Sequence, residues 1–180
     1  MSFFKYLGLV PALTAAWVSG CAAMPVGNPS VPQPAKPVDL KAYVGAWYEM
    51  ARYENGFEPH CEGVTAQYAA LPNGHVKVTN SCHRDTPSGP LKVAQGDAKV
   101  VDGSGNAKLK VSFFGPFYFG DYWVLDHADD YSWSIVGEPS GKYLWILTRQ
   151  AHPSDATRDS LVARAKTLGY DIRLLHLTAQ

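Results

Sequence analysis

From Gly45 onward the chain reads as short segments in which apolar and polar residues alternate with period two, broken by turn residues about every ten positions. This pattern specifies antiparallel strands. The segments predicted as strands are 46–54, 63–71, 75–84, 91–100, 107–114, 121–127, 132–137 and 143–149. With about 140 residues available for one domain, eight such strands suit an up-and-down antiparallel β-barrel, just wide enough to be filled by side chains or to hold one small ligand.

The clearest hairpin turns at Pro72-Asn73-Gly74-His75, where a type I turn with Gly74 in the left-handed region predicts a three-residue loop. That register sets Tyr68 opposite Asn80 and Ala66 opposite Cys82. Val64, Ala66, Tyr68 and Ala70 then share an apolar face with Val76, Val78, Asn80 and Cys82, while Thr65, Gln67, Lys77, Thr79 and Ser81 point outward. Leu109, Val111 and Phe113 alternate in the same way with Lys108, Lys110 and Ser112. Segment 143–149 is apolar on both faces, Tyr143, Trp145 and Leu147 on one and Leu144 and Ile146 on the other, so it needs a cover. A helix opened by Pro153-Ser154-Asp155, striped by Leu161, Val162, Ala165 and Leu168 and ended by Gly169, is expected to pack outside the barrel as that cover, with a short final strand at about 171–178. Small residues Ala66, Ala70, Ala94 and Ala98 on the inner wall predict an open cavity. Asn80 in such a wall costs about 1–3 kcal/mol if unpaired, and is expected to meet Tyr68, a water or a ligand head group.

Gly45-Ala46-Trp47 at the start of the first strand and Arg149 at the end of the last predict one indole stacked under one guanidinium, sealing one end. Antiparallel order then gathers the loops after strands one, three, five and seven at the open mouth. Among them is Phe114-Gly115-Pro116-Phe117-Tyr118-Phe119-Gly120, too apolar for an ordinary solvent turn. Cys61 and Cys82 fall at the mouth too. Since Cys82 faces Ala66 in this register, the first loop is expected to fold back for Cys61 to reach it.

Residues 1–20 have the form of an export signal: Lys5, an apolar stretch from Tyr6 to Val18, then small residues. Val18-Ser19-Gly20-Cys21 resembles the lipobox of bacterial lipoproteins, which implies cleavage before Cys21 and an anchor of diacylglycerol and palmitate on it. Ala22 in place of Asp leans towards the outer membrane, facing the periplasm. Residues 21–38, with Pro25, Pro29, Pro32, Pro34 and Pro37, are expected to form a semi-stiff extended linker. With Cys21 consumed by lipid, Cys61 and Cys82 remain as an even pair in an oxidising space, and a disulfide is expected. Zinc at His60-Cys61 and Cys82-His83 is disfavoured, since neighbours in an extended chain point to opposite sides.

Lys+Arg and Asp+Glu balance at 16 each, without the basic run that nucleic-acid binding requires. No Gly-x-Ser-x-Gly, His-Glu-x-x-His or phosphate loop is found, so no catalytic residue, metal or cofactor is expected. The six histidines are expected at the surface.

Asp39-Leu40-Lys41-Ala42-Tyr43-Val44-Gly45-Ala46-Trp47-Tyr48-Glu49 resembles the first lipocalin motif and Leu147-Thr148-Arg149 the third. Together with Lys110-Val111-Ser112-Phe113-Phe114-Gly115-Pro116-Phe117 and Tyr143-Leu144-Trp145-Ile146-Leu147, they are similar to bacterial lipocalins of the outer-membrane lipoprotein type and to apolipoprotein D-like lipocalins. The second motif, usually Thr-Asp-Tyr, reads Ala128-Asp129-Asp130-Tyr131 here. The resemblance spans about residues 38–178, sets a lipocalin domain at 39–180, and implies a ligand, a fatty acid or lysophospholipid, held by Tyr68, Asn80, Phe113, Tyr122, Tyr143 and Trp145. It leaves open a homodimer. Two alternatives also stay open: a lipid-modifying enzyme using Glu49, Asp97 or Asp126, or a structural envelope protein with a filled barrel.

Overall fold

The computed structural model describes residues 25–180; the export signal and Cys21 lie outside the described residues. A helical turn α1 (Leu40–Tyr43) leads into β1 (Gly45–Tyr53), β2 (Cys61–Ala70), β3 (Val76–Arg84), β4 (Leu91–Val100), β5 (Lys108–Ser112), β6 (Gly120–His127), β7 (Trp133–Gly137) and β8 (Leu144–Thr148). Then come α2 (Asp155–Thr167), a 3-10 turn at Ile172–Leu174 and β9 (Leu175–Leu177). The strands pair antiparallel in chain order from β2 to β8, β8 pairs β1, and β1 pairs β2, so the eight-stranded barrel closes, with β9 added beside β1.

Closure is shared unequally along the β1–β2 seam. Direct pairing covers only Gly45–Tyr48 against Thr65–Tyr68. Nearer the mouth the C-terminal tail fills the gap: Thr178 N–H donates to the Met50 carbonyl, Gly63 N–H to that of Ala179, and the Gln180 amide to the carbonyls of both Glu49 and Val64. Backbone groups that would otherwise be orphaned at a splayed seam thus find partners.

The β2–β3 hairpin differs from the predicted register by two residues. Tyr68 lies opposite Val78 and Ala66 opposite Asn80, because the chain reverses over Leu71–His75 with Gly74 N–H donating to Leu71 O and Leu71 N–H to His75 O. An even slip preserves parity, so the predicted inner face survives. Ala70 is the exception, exposed beside the turn. A bulge between Glu62 and Thr65, with Gly63 at φ +57°, rotates Cys61 onto the same face as Cys82. The disulfide therefore forms within the hairpin at a Cα–Cα distance of 5.4 Å, and no fold-back of the first loop is needed.

Two apolar layers result. The inner one lines the barrel, with Trp47, Tyr68, Val78, Ala98 and Leu109 among its buried members. The outer one lies between the sheet and α2, where Leu144 and Ile146 meet Leu161 and Ala165, as the two-sided pattern of β8 required. Ser154 caps α2 by accepting from Thr157 N–H, Gly169 ends it at φ +93°, and Arg164 bonds Asp126 on the barrel wall at 2.7 Å.

The linker is where expectation and structure part. From Gly27 to Val38 it does not stand off as a spacer but is strapped along the barrel. Gly27 and Asn28 N–H groups donate to Gly141 O, Ala35 N–H to Leu125 O and Val38 N–H to Gly105 O, and Asn28 is buried. A proline-rich chain without partners of its own takes the carbonyls that the barrel offers, and Val31 joins the outer layer. His127 departs from the expected surface position for the same reason: it is 4% exposed, its ring bridging the carbonyls of Ala128 and Pro37.

Candidate functional site: the barrel interior

The closed end is built from α1 and the two ends of the barrel sheet. Tyr43 on α1 and Trp47 on β1 hold their rings 5.1 Å apart, and the indole Nε1–H donates to Tyr43 O. Arg149 lies over the Trp47 ring at 3.7 Å and spreads its donors over the carbonyls of Ala42, Tyr43, Val44, Ala46 and Tyr131. The predicted stack is thus also a cap on α1, whose last carbonyls have no partners within the helix. Gly45 is required here: its φ is +103°, and a Cβ would come within 3.3 Å of the guanidinium. The altered second motif still forms its turn, with Tyr131 N–H bonded to Ala128 O and the Tyr131 hydroxyl accepting from Asp39 N–H.

Above this floor is a cavity of ≈ 1050 Å³. The barrel is therefore not filled by its own side chains. Its floor carries a run of hydroxyls, Tyr68 to Tyr122 at 3.0 Å, Tyr122 to Tyr43 at 2.9 Å and Tyr43 to Ser134 at 2.9 Å. Burial pushes the Tyr43 phenol up to about 12 and those of Tyr68 and Tyr122 up as well, so all three stay neutral and satisfy one another. The waist is aliphatic, with Ala66, Ala94, Ala98, Val76, Val78 and Leu109 on the wall.

Towards the mouth the lining becomes aromatic and polar. Tyr143 and Trp145 stack with centroids 5.8 Å apart, Phe57 packs on Tyr143, and the Trp145 Nε1–H donates to Glu58 at 3.3 Å. Asn80 presents a buried Oδ1 that has no hydrogen-bond partner in the protein. Of the options open for Asn80, Tyr68 does not meet it, since the Asn80 oxygen has no hydrogen-bond partner in the protein. All six predicted lining residues face this one cavity, though Phe113, 39% exposed past the end of β5, sits on the rim.

Two lining groups, Tyr43 and Glu58, and the buried Arg52 behind Glu49 escape the sequence reading. Tyr43 sits on a helical turn that alternation could not show. Glu58 lies in a loop. Arg52 turns inward after the β1 bulge at Met50, an offset that a strict period of two misplaces. Buried Arg52 donates to Glu49 at 2.9 Å, and Glu49 also accepts from Thr178. Burial and the nearby Glu58 carboxyl push Glu49 upward against the pull of Arg52. Of the carboxylates open to an enzymatic reading, Glu49 lines the cavity; Asp126 pairs with Arg164 and Asp97 with His75 and Tyr118, away from it.

A family model described as a lipocalin-like domain matches residues 38–180. The outer membrane lipoprotein Blc of Vibrio cholerae is 35% identical, covering 93% of this chain and 96% of its own. Apolipoprotein D of Rattus norvegicus is 36% identical over 66% of this chain and 67% of its own. Insecticyanin from the tobacco hornworm Manduca sexta superposes with a TM-score of 0.68 at 23% identity, covering 85% of this chain and 86% of that one, a likeness of fold. Sealed floor, closed eight-stranded barrel, outer helix and these matches agree: the chain belongs to the lipocalin family.

Proposed function

We propose that the barrel binds one single-chain amphiphile, a fatty acid or lysophospholipid, and that it stores or transports that lipid in the bacterial cell envelope. The carrying observation is the ≈ 1050 Å³ interior, aliphatic at the waist and polar only at the hydroxyl floor and near the mouth. Its size lies just above the usual range of ligand cavities, about 300–1,000 Å³. Sixteen buried methylenes at about 0.8 kcal/mol each give roughly 13 kcal/mol, and micromolar affinity requires about 8 after ordering costs. The tail fills the waist, while Asn80, Tyr143, Trp145 and the rim residue Phe113 meet the head-group end, where the unpartnered Asn80 oxygen accepts a donor. Tyr68 and Tyr122 support the tail from the floor. Function follows from burial and release, without proton transfer.

An envelope location is supported by the relatives named outer membrane lipoproteins. Acylation of Cys21 with diacylglycerol and palmitate, and a periplasm-facing orientation at the outer membrane, belong to this proposal. Glu49 on the wall is the one observation favouring an enzymatic alternative, and its carboxyl is already held by Arg52 and Thr178.

The test is intrinsic Trp fluorescence titrated with fatty acids, lysophospholipids and sterols. Saturable one-to-one changes for the single-chain lipids, weakened in Trp145→Ala, support the assignment. Equal preference for sterols, or affinity unchanged in that variant, contradicts it.

A further inference from the structure

Among the described residues, the large apolar side chains left exposed gather in the mouth half of the barrel, Leu177 included, where β9 sets it opposite Ala51. Phe114 and Phe119 are 87% and 83% exposed, and Phe117 stacks on Phe119 at 5.7 Å. Phe57 and Leu91 continue this rim from the other mouth loops, and Val26 adds to it where the strap begins. The turns at the opposite pole are polar: Asn73-Gly74, Asp102-Gly103-Ser104-Gly105 and Asp129-Asp130. Apolar surface confined to one pole marks an interaction face.

The strap tells which surface that face meets. Gly27 and Asn28 are bonded to Gly141 in the turn between β7 and β8, the Asn28 amide reaches Leu168 O, and Asp171 N–H donates to Gly27 O. Gly141 lies at the mouth. The chain before Gly27 therefore departs from the mouth pole, while Val38 ends the strap at the closed pole. Gly27 follows Cys21 by six steps along the chain, a reach of at most about 22 Å when fully extended. Strands of nine or ten residues, rising about 3.3 Å each and tilted by about 40°, set the closed pole some 25 Å farther along the axis. To turn its closed pole to the membrane, a chain held at Cys21 would have to run fully extended back along the whole barrel. Side-on and mouth-down placements remain, and the aromatic rim decides between them.

Resting on the acyl anchor and lipid-carrier reading above, we infer that the barrel stands mouth-down on the membrane that holds its anchor. Phe114, Phe117 and Phe119 lie in the bilayer interface, where aromatic side chains are favoured. The cavity then opens onto the leaflet from which a single-chain lipid is taken or to which it is returned, and the tail need not cross bulk water.

The test places a photo-crosslinking p-benzoylphenylalanine at Phe114, Phe117 or Asn73 of the full-length chain. Each protein is reconstituted in vesicles of phosphatidylethanolamine and phosphatidylglycerol, irradiated and weighed by mass spectrometry. Diacyl phospholipid adducts at Phe114 and Phe117, with Asn73 at the level of the unirradiated control, are expected. Phe114→Asp together with Phe119→Asp changes only exposed positions and is expected to lower the Phe117 adduct several-fold. Gly141→Ala drives a Cβ to 1.7 Å from Asn28 O, dislodging the strap, and is expected to reduce the contrast between the poles. Equal adducts at both poles, a protein–protein dimer in place of lipid adducts at Phe114, or an intact mass without acyl chains on Cys21 overturns the inference. Trp titration of the same samples separates the two readings: orientation can fail while amphiphile binding persists, and a rim that crosslinks lipid beside a cavity that binds none refutes the carrier alone.

Discussion

Removing the Arg149 side chain tests how the closed end is held. In Arg149→Ala the guanidinium no longer covers the Trp47 ring, an interaction of about 1 kcal/mol at a half-buried site. Five backbone carbonyls also lose a donor. Those of Ala42 and Ala46 face solvent and rehydrate, while Tyr43, Val44 and Tyr131 are shielded, at about 1 kcal/mol each. The sum is about 4 kcal/mol, and for a domain of this size each kcal/mol lowers Tm by about 3 °C, giving a drop of about 12 °C. Arg149→Lys keeps the charge but loses the fork, so roughly half that loss is expected. Thermal unfolding followed by near-ultraviolet circular dichroism is the assay, because Trp47 reports directly on the stack. A drop under about 2 °C in Arg149→Ala would refute a capping role, as would complete rescue by lysine. Amphiphile affinity should remain within about twofold in the folded Ala variant, since Arg149 is not among the residues lining the cavity.

Other perturbations probe different parts. Asn80→Leu removes a buried acceptor without a partner, so the unliganded protein should gain about 1 kcal/mol in chemical denaturation while head-group discrimination falls; lower stability with unchanged binding contradicts the role given to Asn80. Reducing Cys61–Cys82, or replacing both by Ser, should cost about 3 kcal/mol for a loop with the residues separated by 21 positions, read from urea midpoints. Glu49 holds its proton more tightly folded than unfolded, so its contribution to stability is full at acid pH and declines as pH rises above the ordinary carboxylate range. Stability compared between about pH 5 and about pH 8 should therefore fall more for the parent protein than for Glu49→Gln, and parallel curves contradict the shift.

Much of the barrel was legible because period two is a strong signal and parity is forgiving. The β2–β3 register slipped by two residues, yet Val64, Ala66 and Tyr68 stayed inside with Val76, Val78 and Asn80, since only an odd slip exchanges faces. The Trp47–Arg149 stack could be anticipated from residue chemistry alone. Features that break the period were hidden. The bulge at Gly63 decides how the disulfide closes, the bulge at Met50 turns Arg52 inward, and α1 carries Tyr43 to the floor. Residues 27–38 misled for another reason: their composition describes an extended chain, but whether such a chain is free depends on carbonyls supplied by Leu125, Gly105 and Gly141, which alternation in the strands does not reveal.

Native mass spectrometry of the protein released gently from its own host membrane, with the mouth and cavity undisturbed, addresses the carrier assignment most directly. One noncovalent adduct per barrel, of the mass of a single-chain lipid and exchangeable for added fatty acid or lysophospholipid, is the predicted result. A bare protein mass that no such amphiphile shifts would contradict it.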